Sequence, residues 1–171
     1  MLHFHKHPDI RVVLLLSNNR DAYALERAKK FGVPSRAFSR DQFNGSEVGR
    51  WLSEAGVTHI VLAGFLWLVP TPLVDAYPDH IVNIHPALLP RHGGKGMYGE
   101  RVHQAVKDDG DAQTGITIHL VNAHFDEGRI VFQAACEVTP DDTVQTIAEK
   151  VHELEYRHYP AVIEKWALTK Q

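Results

Sequence analysis

The sequence predicts an α/β protein, Rossmann-like, with an open, mostly parallel sheet and helices on both faces. Short runs of branched aliphatic residues alternate along the chain with segments whose apolar residues recur at helical spacing. This alternation is typical of βαβ units, in which helices cover a buried sheet. The chain has no internal repeat, low-complexity segment or linker, so we predict one domain over residues 1–171.

The first third of the chain predicts a strand, a helix, a short strand and a helix. These cover residues 10–16, 20–34, 35–39 and 46–56. The first run, "IRVVLLL", is apolar almost throughout, which indicates a strand buried on both faces. The first helix should end near Gly32, because glycine suits the position after a helix and the following proline prevents its continuation.

The middle of the chain predicts two further strands and ends in a long loop. A strand over 58–65 is followed by a short helix over 70–77 and a strand over 80–85. Residues 86–98 hold two prolines and several glycines, which indicates irregular structure. A tight turn in this loop favours a cis Leu89–Pro90 bond.

The last third of the chain predicts a helix over 99–110, strands over 114–121 and 129–138, and a long C-terminal helix. In that helix Val144, Ile147, Val151 and Leu154 share one face. Proline lacks a backbone N–H, so we expect Pro160 to kink or interrupt the helix.

Composition excludes several classes of protein. Hydrophobic residues make up 44% and charged residues 23%, and the net charge is −3, so the basic surface of a nucleic-acid binder is absent. The single Cys136 excludes an internal disulfide framework. No apolar run is long enough to span a bilayer, and the first residues lack the order of a signal peptide. We therefore expect a cytoplasmic protein that binds neither membrane nor nucleic acid.

A polar pair closes the strand over 80–85. Asn83 and His85 are two residues apart, so their side chains point to the same face of a strand, at the carboxyl end where α/β proteins bind ligands. The amide can donate to an oxygen that gains negative charge, and the imidazole can exchange protons near neutral pH. On its own, such a pair is more often a turn cap than a site.

Asp126 is the carboxylate that can complete this pair. It lies in "FDEG", after the strand over 114–121, where the chain can return to the same end of the sheet. An anionic neighbour orients a histidine and favours its protonated form. These three groups describe acyl transfer without a covalent enzyme intermediate, because the Gly-x-Ser-x-Gly motif is absent.

The remaining histidines have simpler interpretations. His3, His5 and His7 alternate in "HFHKH", but three histidines without a cysteine or carboxylate framework do not predict a metal site. His119 alternates with Ile118 and is a weaker candidate for lining the pocket. We expect no metal.

The segments "VLAGF", "VNIHPALLPRHGG", "TGITIHLVNAHFDEG" and "YRHYP" carry a family resemblance that extends over nearly the whole chain. Together they resemble the phosphoribosylglycinamide formyltransferases, folate-dependent enzymes of purine synthesis. The resemblance implies the formyltransferase fold, 10-formyltetrahydrofolate as co-substrate and glycinamide ribonucleotide as acceptor. It also assigns Asn83, His85 and Asp126 to catalysis: the amide holds the formyl oxygen, the imidazole handles protons and the carboxylate organises a water and the imidazole.

The resemblance further implies the residues that bind the two substrates. Arg40 would contact the phosphate and Glu155 the ribose hydroxyls of the ribonucleotide. Residues 121–126 would line the pterin site. The folate-binding residues it implies are Leu62, Leu66, Trp67, Leu68, Val69, Val121, Asn122 and Phe125. The implied partners are small molecules, and the implied assembly is a monomer or a homodimer.

The chain departs from the family at its start. Members open with a strand, a Gly-x-Gly-x-Asn loop and a helix, and the loop cradles the substrate phosphate. No such loop is present, and "MLHFHKHPDIRV" resembles the end of that helix. We therefore expect the first strand, the loop and most of a helix, roughly twenty residues by mean element lengths, to be missing, which exposes neighbouring strand edges.

This departure leaves other functions open. One alternative is a truncated, non-catalytic form that binds folate. Others within the class are formyltetrahydrofolate deformylase, which carries an extra N-terminal domain, and methionyl-tRNA formyltransferase, which needs an added nucleic-acid-binding domain and basic charge.

Overall fold

The computed structural model describes residues 1–169, and these form two compact units. Among the described residues, one unit comprises Met1–His59 with Ala167–Thr169, and the other comprises Ile60–Trp166. We call them the N-terminal unit and the central unit. The assignment of the whole chain to one domain stays a prediction.

The N-terminal unit holds a two-stranded parallel sheet and three α-helices. Its elements are a short 3₁₀ turn (Leu2–Phe4), β1 (Leu15–Ser17), α1 (Tyr23–Lys30), β2 (Ser35–Ala37), α2 (Arg40–Asn44) and α3 (Glu47–Glu54). Leu15 lies opposite Ser35 in the sheet. The helix α2 was not predicted; Ser39 and Gln42 begin it with a reciprocal capping box.

The prediction of a first strand buried on both faces is wrong. The strand β1 is three residues long, and its side chains are partly buried. Among the described strands it pairs with β2 alone, so one of its edges has no strand beside it. The burial in this unit comes instead from helix residues such as Val48, Trp51 and Leu52, which share one face of α3.

The central unit holds a four-stranded sheet in the order β3-β4-β5-β6. Its elements are β3 (Ile60–Leu62), α4 (Thr71–Ala76), β4 (Ile81–His85), α5 (Glu100–Asp108), β5 (Gln113–Leu120), β6 (Ile130–Glu137) and, up to Trp166, the helix α6 (Val144–Leu168). These elements lie close to their predicted positions. The α/β class is confirmed.

The sheets are mixed rather than mostly parallel. The pairs β1–β2 and β3–β4 are parallel, whereas β4–β5 and β5–β6 are antiparallel. A parallel connection needs a crossover of a dozen or more residues, and the nine-residue link 121–129 between β5 and β6 is too short for one. The chain therefore turns back on itself there, and this turn carries Asp126.

The strand β5 forms the centre of the core. Thr114–Leu120 is buried throughout, and β5 pairs with a strand on each side. The helix α6 buries Ile147, Val151, Ile163 and Trp166. It continues through Pro160, so an interruption is wrong, whereas a kink stays a prediction. Buried residues on either side of the proline keep both halves helical despite the lost backbone donor.

Candidate active site

The site begins at the end of β4, where alternation places Asn83 and His85 on one face. In the antiparallel pairing with β5, Asn83 lies opposite His119 and His85 lies opposite Thr117. Directly opposed residues share a face of the sheet, so β5 adds two polar side chains to the predicted pair. The result is a polar patch where β4 ends beside β5.

Asp126 reaches this patch from the turn between β5 and β6. Its backbone adopts φ +57°, and its Oδ2 accepts a hydrogen bond of 2.9 Å from the Gly94 amide. Glycine at 128 has a steric reason: a Cβ there would overlap the carbonyl oxygen of Leu120. Residue 128 must therefore lack a side chain for the turn to approach β5 so closely.

The predicted trio comes together. His85 Nδ1 lies 3.5 Å from Asp126 Oδ2, and His119 Nε2 lies 3.5 Å from Asp126 Oδ1. The Asn83 amide nitrogen lies 3.2 Å from His119 Nε2. Asp126 thus faces two imidazoles, and His119 joins Asp126 to Asn83.

The groups around His85 shift its pKa in opposite directions. Burial lowers the pKa of His85, and Asp126 and the carbonyl of His92 raise it in part; the net direction is downward. His85 Nε2 donates to the His92 carbonyl at 2.8 Å. In the neutral ring, Nδ1 is then the unprotonated nitrogen, and it faces Asp126.

Asp126 is held ionised. Burial raises the pKa of Asp126, but its contacts with His119, His85 and the Gly94 amide together lower that pKa below its ordinary value. A carboxylate at this position favours a proton on His85.

His119 orients the Asn83 amide. Its Nδ1 donates to the Leu120 carbonyl at 2.8 Å, so in the neutral ring Nε2 accepts from Asn83. The Asn83 nitrogen carries a second N–H that can be donated to a substrate oxygen. The amide direction follows from this bond, because the amide oxygen cannot donate to Nε2.

The loop after β4 is fixed by β5 and β6. Thr117 Oγ1 donates to the Ala87 carbonyl at 2.6 Å and accepts from the Leu89 amide at 2.9 Å. The Gln133 amide nitrogen donates to Thr117 Oγ1 and to the Leu89 carbonyl. The cis Leu89–Pro90 bond is confirmed.

The residues predicted to bind folate lie on two segments of the central unit. Leu62 ends β3, and Leu66, Trp67, Leu68 and Val69 follow it before α4. Leu66 is 49% and Leu68 39% exposed, whereas Val69 is buried. The other three, Val121, Asn122 and Phe125, are partly buried in the turn that carries Asp126.

The two residues predicted to bind the ribonucleotide lie apart in the chain. Arg40 is exposed and begins α2 in the N-terminal unit. Glu155 lies on α6 in the central unit, where its Oε2 is 2.9 Å from His152 Nδ1. Tyr159, one turn further along α6, donates to the Leu62 carbonyl at 2.6 Å and so connects the last helix to the end of β3.

Sequence reasoning missed several contributors to the site. Thr117, Gln133 and the carbonyl of His92 orient the loop and the histidine. The alternation in "TIHLV" places Thr117 and His119 on one face of the strand, and this alternation could have predicted that both side chains face the site. A backbone carbonyl carries no residue-type signal.

The part of the chain that the structure describes offers neither a metal-binding cluster nor a membrane-spanning helix. Within residues 1–169, no group of three or more His, Cys, Asp or Glu side chains could hold a metal ion. No helix in those residues is both long and apolar enough to cross a bilayer. The site therefore consists of the Asn83 amide, the His119 imidazole, the ionised Asp126 carboxylate and the His85 imidazole, each in contact with the next.

Comparison with known proteins identifies the class. The formyl transferase family matches residues 3–163, and the chain belongs to this family.

Individual members are similar to the chain over most of its length. The chloroplastic phosphoribosylglycinamide formyltransferase of Arabidopsis thaliana is 42% identical over 158 residues, covering 89% of this chain and 54% of its own length. The phosphoribosylglycinamide formyltransferase of Haemophilus influenzae is 35% identical, with 91% and 73% covered. The crystal structure of the enzyme of that name from Bacillus halodurans superposes with a TM-score of 0.85 at 32% identity, with 95% and 84% covered. The chain thus spans about half the length of the plant relative.

Proposed function

We propose that the protein transfers a formyl group from 10-formyltetrahydrofolate to the amine of glycinamide ribonucleotide, a step of purine synthesis. The observation that carries the proposal is the contact of Asp126 with His85 and His119, 3.5 Å from each, beside the Asn83 amide. The relatives named above are phosphoribosylglycinamide formyltransferases, which supports this choice of substrates.

Each catalytic side chain has a separate task. Asn83, oriented by His119, donates its second N–H to the formyl oxygen as that oxygen gains negative charge. His85 exchanges protons with the reacting amine through Nδ1, because its Nε2 proton is held by the His92 carbonyl. Asp126 stays ionised and stabilises the protonated form of His85.

The other predicted residues would bind the two substrates. We assign Leu62, Leu66, Trp67, Leu68 and Val69 to one wall of the folate site, and Val121, Asn122 and Phe125 to the pterin end. We assign Arg40 and Glu155 to the phosphate and the ribose hydroxyls of the ribonucleotide. Bringing the two substrates together supplies much of the rate enhancement. A cytoplasmic location and a monomeric or homodimeric state remain predictions.

A formyl-transfer assay on the purified chain tests the proposal. We expect turnover with both substrates, and we expect His85→Ala to reduce kcat by about a thousandfold. His80→Ala is the matched control, since His80 directly precedes the same strand at the end opposite to Asn83 and His85. Wild-type turnover in His85→Ala would contradict the assignment.

The same preparation separates the alternatives. Binding of a folate analogue without any formyl transfer would identify the non-catalytic form. Release of formate without an acceptor amine would identify a deformylase. Either result would replace the proposed reaction.

A further inference from the structure

We propose that Asp111, acting through His92, is a positioning residue that keeps the His85 proton on Nε2 and leaves Nδ1 for proton exchange. The proposal rests on the proposed function for its effect on turnover, while the proton position itself is independent of that function. Asp111 lies in the turn between α5 and β5, in a region that the predicted trio does not include.

The end of the loop 86–94 contacts both His85 and Asp126 through its backbone. The His92 carbonyl accepts from His85 Nε2 at 2.8 Å, and the Gly94 amide donates to Asp126 Oδ2 at 2.9 Å. Two backbone groups, two residues apart, therefore hold the histidine and the carboxylate. The position of this short segment decides both contacts.

Charged side chains fix the segment from its other side. The His92 ring is 7% exposed, and its Nε2 lies 2.7 Å from Asp111 Oδ2. The neighbouring Arg91 donates to Asp111 Oδ1 at 2.8 Å. Both oxygens of one carboxylate thus hold consecutive residues of the loop. We call Asp111, Arg91 and His92 the loop clamp.

The backbone at His92 needs such a contact. His92 has φ +53°, in the left-handed region that side chains other than glycine rarely adopt. Such a conformation persists where surrounding contacts hold it. The bond to Asp111 is the shortest side-chain contact described for His92.

The loop clamp determines which of two acceptors binds the ring proton of His85. A neutral His85 carries one ring proton, and two oxygens compete for it: the His92 carbonyl at Nε2, 2.8 Å away, and Asp126 Oδ2 at Nδ1, 3.5 Å away. If the carbonyl moves away, the carboxylate draws the proton to Nδ1. The nitrogen facing Asp126 then starts the reaction already protonated and cannot accept a proton from the amine.

The nearby Asp109 provides a matched control. It lies two residues before Asp111, carries the same charge and contacts the same Arg91, at 3.5 Å. Its side chain is 55% exposed and stays 3.9 Å from His92 Nδ1. Asp109→Ala therefore removes an equal charge from the same turn while leaving the His92–Asp111 bond in place.

Nitrogen NMR of the histidine side chains reads the proton position directly. In the wild-type chain near neutral pH we expect His85 as the Nε2–H form, assigned by comparison with His85→Asn. We expect Asp111→Ala and His92→Ala to move the proton toward Nδ1. Asp109→Ala should retain the wild-type form, and so should His92→Gln, whose side-chain amide can still donate to Asp111.

Turnover gives the second measurement. We expect Asp111→Ala to lower kcat about tenfold, with KM within about twofold; the scale is the smaller of the losses seen when the partner that orients a metal-bound histidine is removed. If Asp111→Ala does not fold, His92→Ala and His92→Gln form the same comparison.

Two results would overturn the proposal: an unchanged Nε2–H form of His85 in both Asp111→Ala and His92→Ala, or an equal shift in Asp109→Ala. Because the NMR result does not depend on formyl transfer, a chain that is inactive but shows the expected shifts contradicts the proposed reaction and supports the clamp.

Discussion

The strands β1 and β5 illustrate two ways in which this chain stabilises a sheet. The strand β5 has eight residues, pairs on both sides and is buried from Thr114 to Leu120. The strand β1 has three residues, pairs with β2 alone among the described strands and is partly buried. Two of the three residues of β1 are leucines, whereas β5 mixes Ile116, Ile118 and Leu120 with polar residues. The two strands therefore differ in length, in pairing and in the burial of their side chains.

The difference matters because the polar site residues lie on the well-buried strand. Thr117 and His119 are 0% and 2% exposed, yet both make hydrogen bonds to groups outside β5. A buried polar group must find a partner, so its position is tightly determined. The buried strand thus gives the site its precision.

The largest expected contrast is in core packing. Ile118→Ala in β5 removes a side chain that is 0% exposed and should lower the free energy of unfolding by about 4 kcal/mol. Leu16→Ala in β1 should cost about half as much, since Leu16 is partly buried. Urea denaturation measures both. Equal losses would show that β1 is as well packed as β5.

The next contrast is between two glycines. Gly128→Ala places a methyl group against the Leu120 carbonyl and should cost about 3 kcal/mol. Gly49→Ala in α3 meets no heavy atom within 4 Å and should stabilise the chain by about 0.5 kcal/mol. Thermal and urea unfolding of the two variants test this. A neutral Gly128→Ala would contradict the close approach of the turn to β5.

A smaller contrast concerns polar partners. Thr117→Val keeps the shape of the side chain but leaves the Ala87 carbonyl and the Leu89 amide without their partner, so we expect a loss of about 2 kcal/mol. Ser39→Ala, which removes the cap of α2 in the N-terminal unit, should cost about 1 kcal/mol. Equal urea midpoints for the two variants would show that the buried Thr117 hydroxyl contributes no more to stability than the exposed Ser39 hydroxyl.

The smallest expected effect is the change in the free energy of unfolding with pH. Burial lowers the pKa of His85 and His103 in the folded chain. From about pH 6.5 downward to the folded pKa, the unfolded chain therefore binds more protons, and stability falls as pH falls. The urea midpoint should decrease between pH 7.5 and 5.5, and His103→Phe should reduce that decrease. A midpoint that rises over this range would contradict the sign.

At more acidic pH, carboxylates add a second loss of stability. Contacts with His119, His85 and Gly94 outweigh burial and lower the pKa of Asp126, while the hydrogen bond from Lys150 is the largest cause of the lowered pKa of Asp142. The stability that they contribute is present above their ordinary pKa of about 4 and is lost as pH falls through the folded values. This loss should begin below the histidine window.

The sequence predicted the elements of the central unit well and those of the N-terminal unit less well. Alternation and turn residues located β4, β5 and β6 to within one residue, because each is bounded by loop-forming residues. The sequence did not predict the burial of β1, since burial depends on which elements cover the faces of the sheet. The short helix that begins at Arg40 lacks a periodic apolar face long enough to detect.

The candidate site likewise has contacts that the sequence predicts and contacts that it does not. Spacing placed Asn83 and His85 together, and the turn motif added Asp126. The pairing of Asn83 with His119 depends on strand register, which alternation within a single strand does not specify. The contribution of His92 was beyond prediction because it is made by a carbonyl at a positive φ.

The hydrogen bond from Tyr159 to the Leu62 carbonyl joins residues 97 positions apart in the chain. Deleting the last helix, or fusing another protein within it, would therefore disturb the strand end where the proposed folate wall starts. A C-terminally shortened form that stays folded should be judged first by its affinity for a folate analogue, and fusion partners are better attached after Leu168 than inside α6.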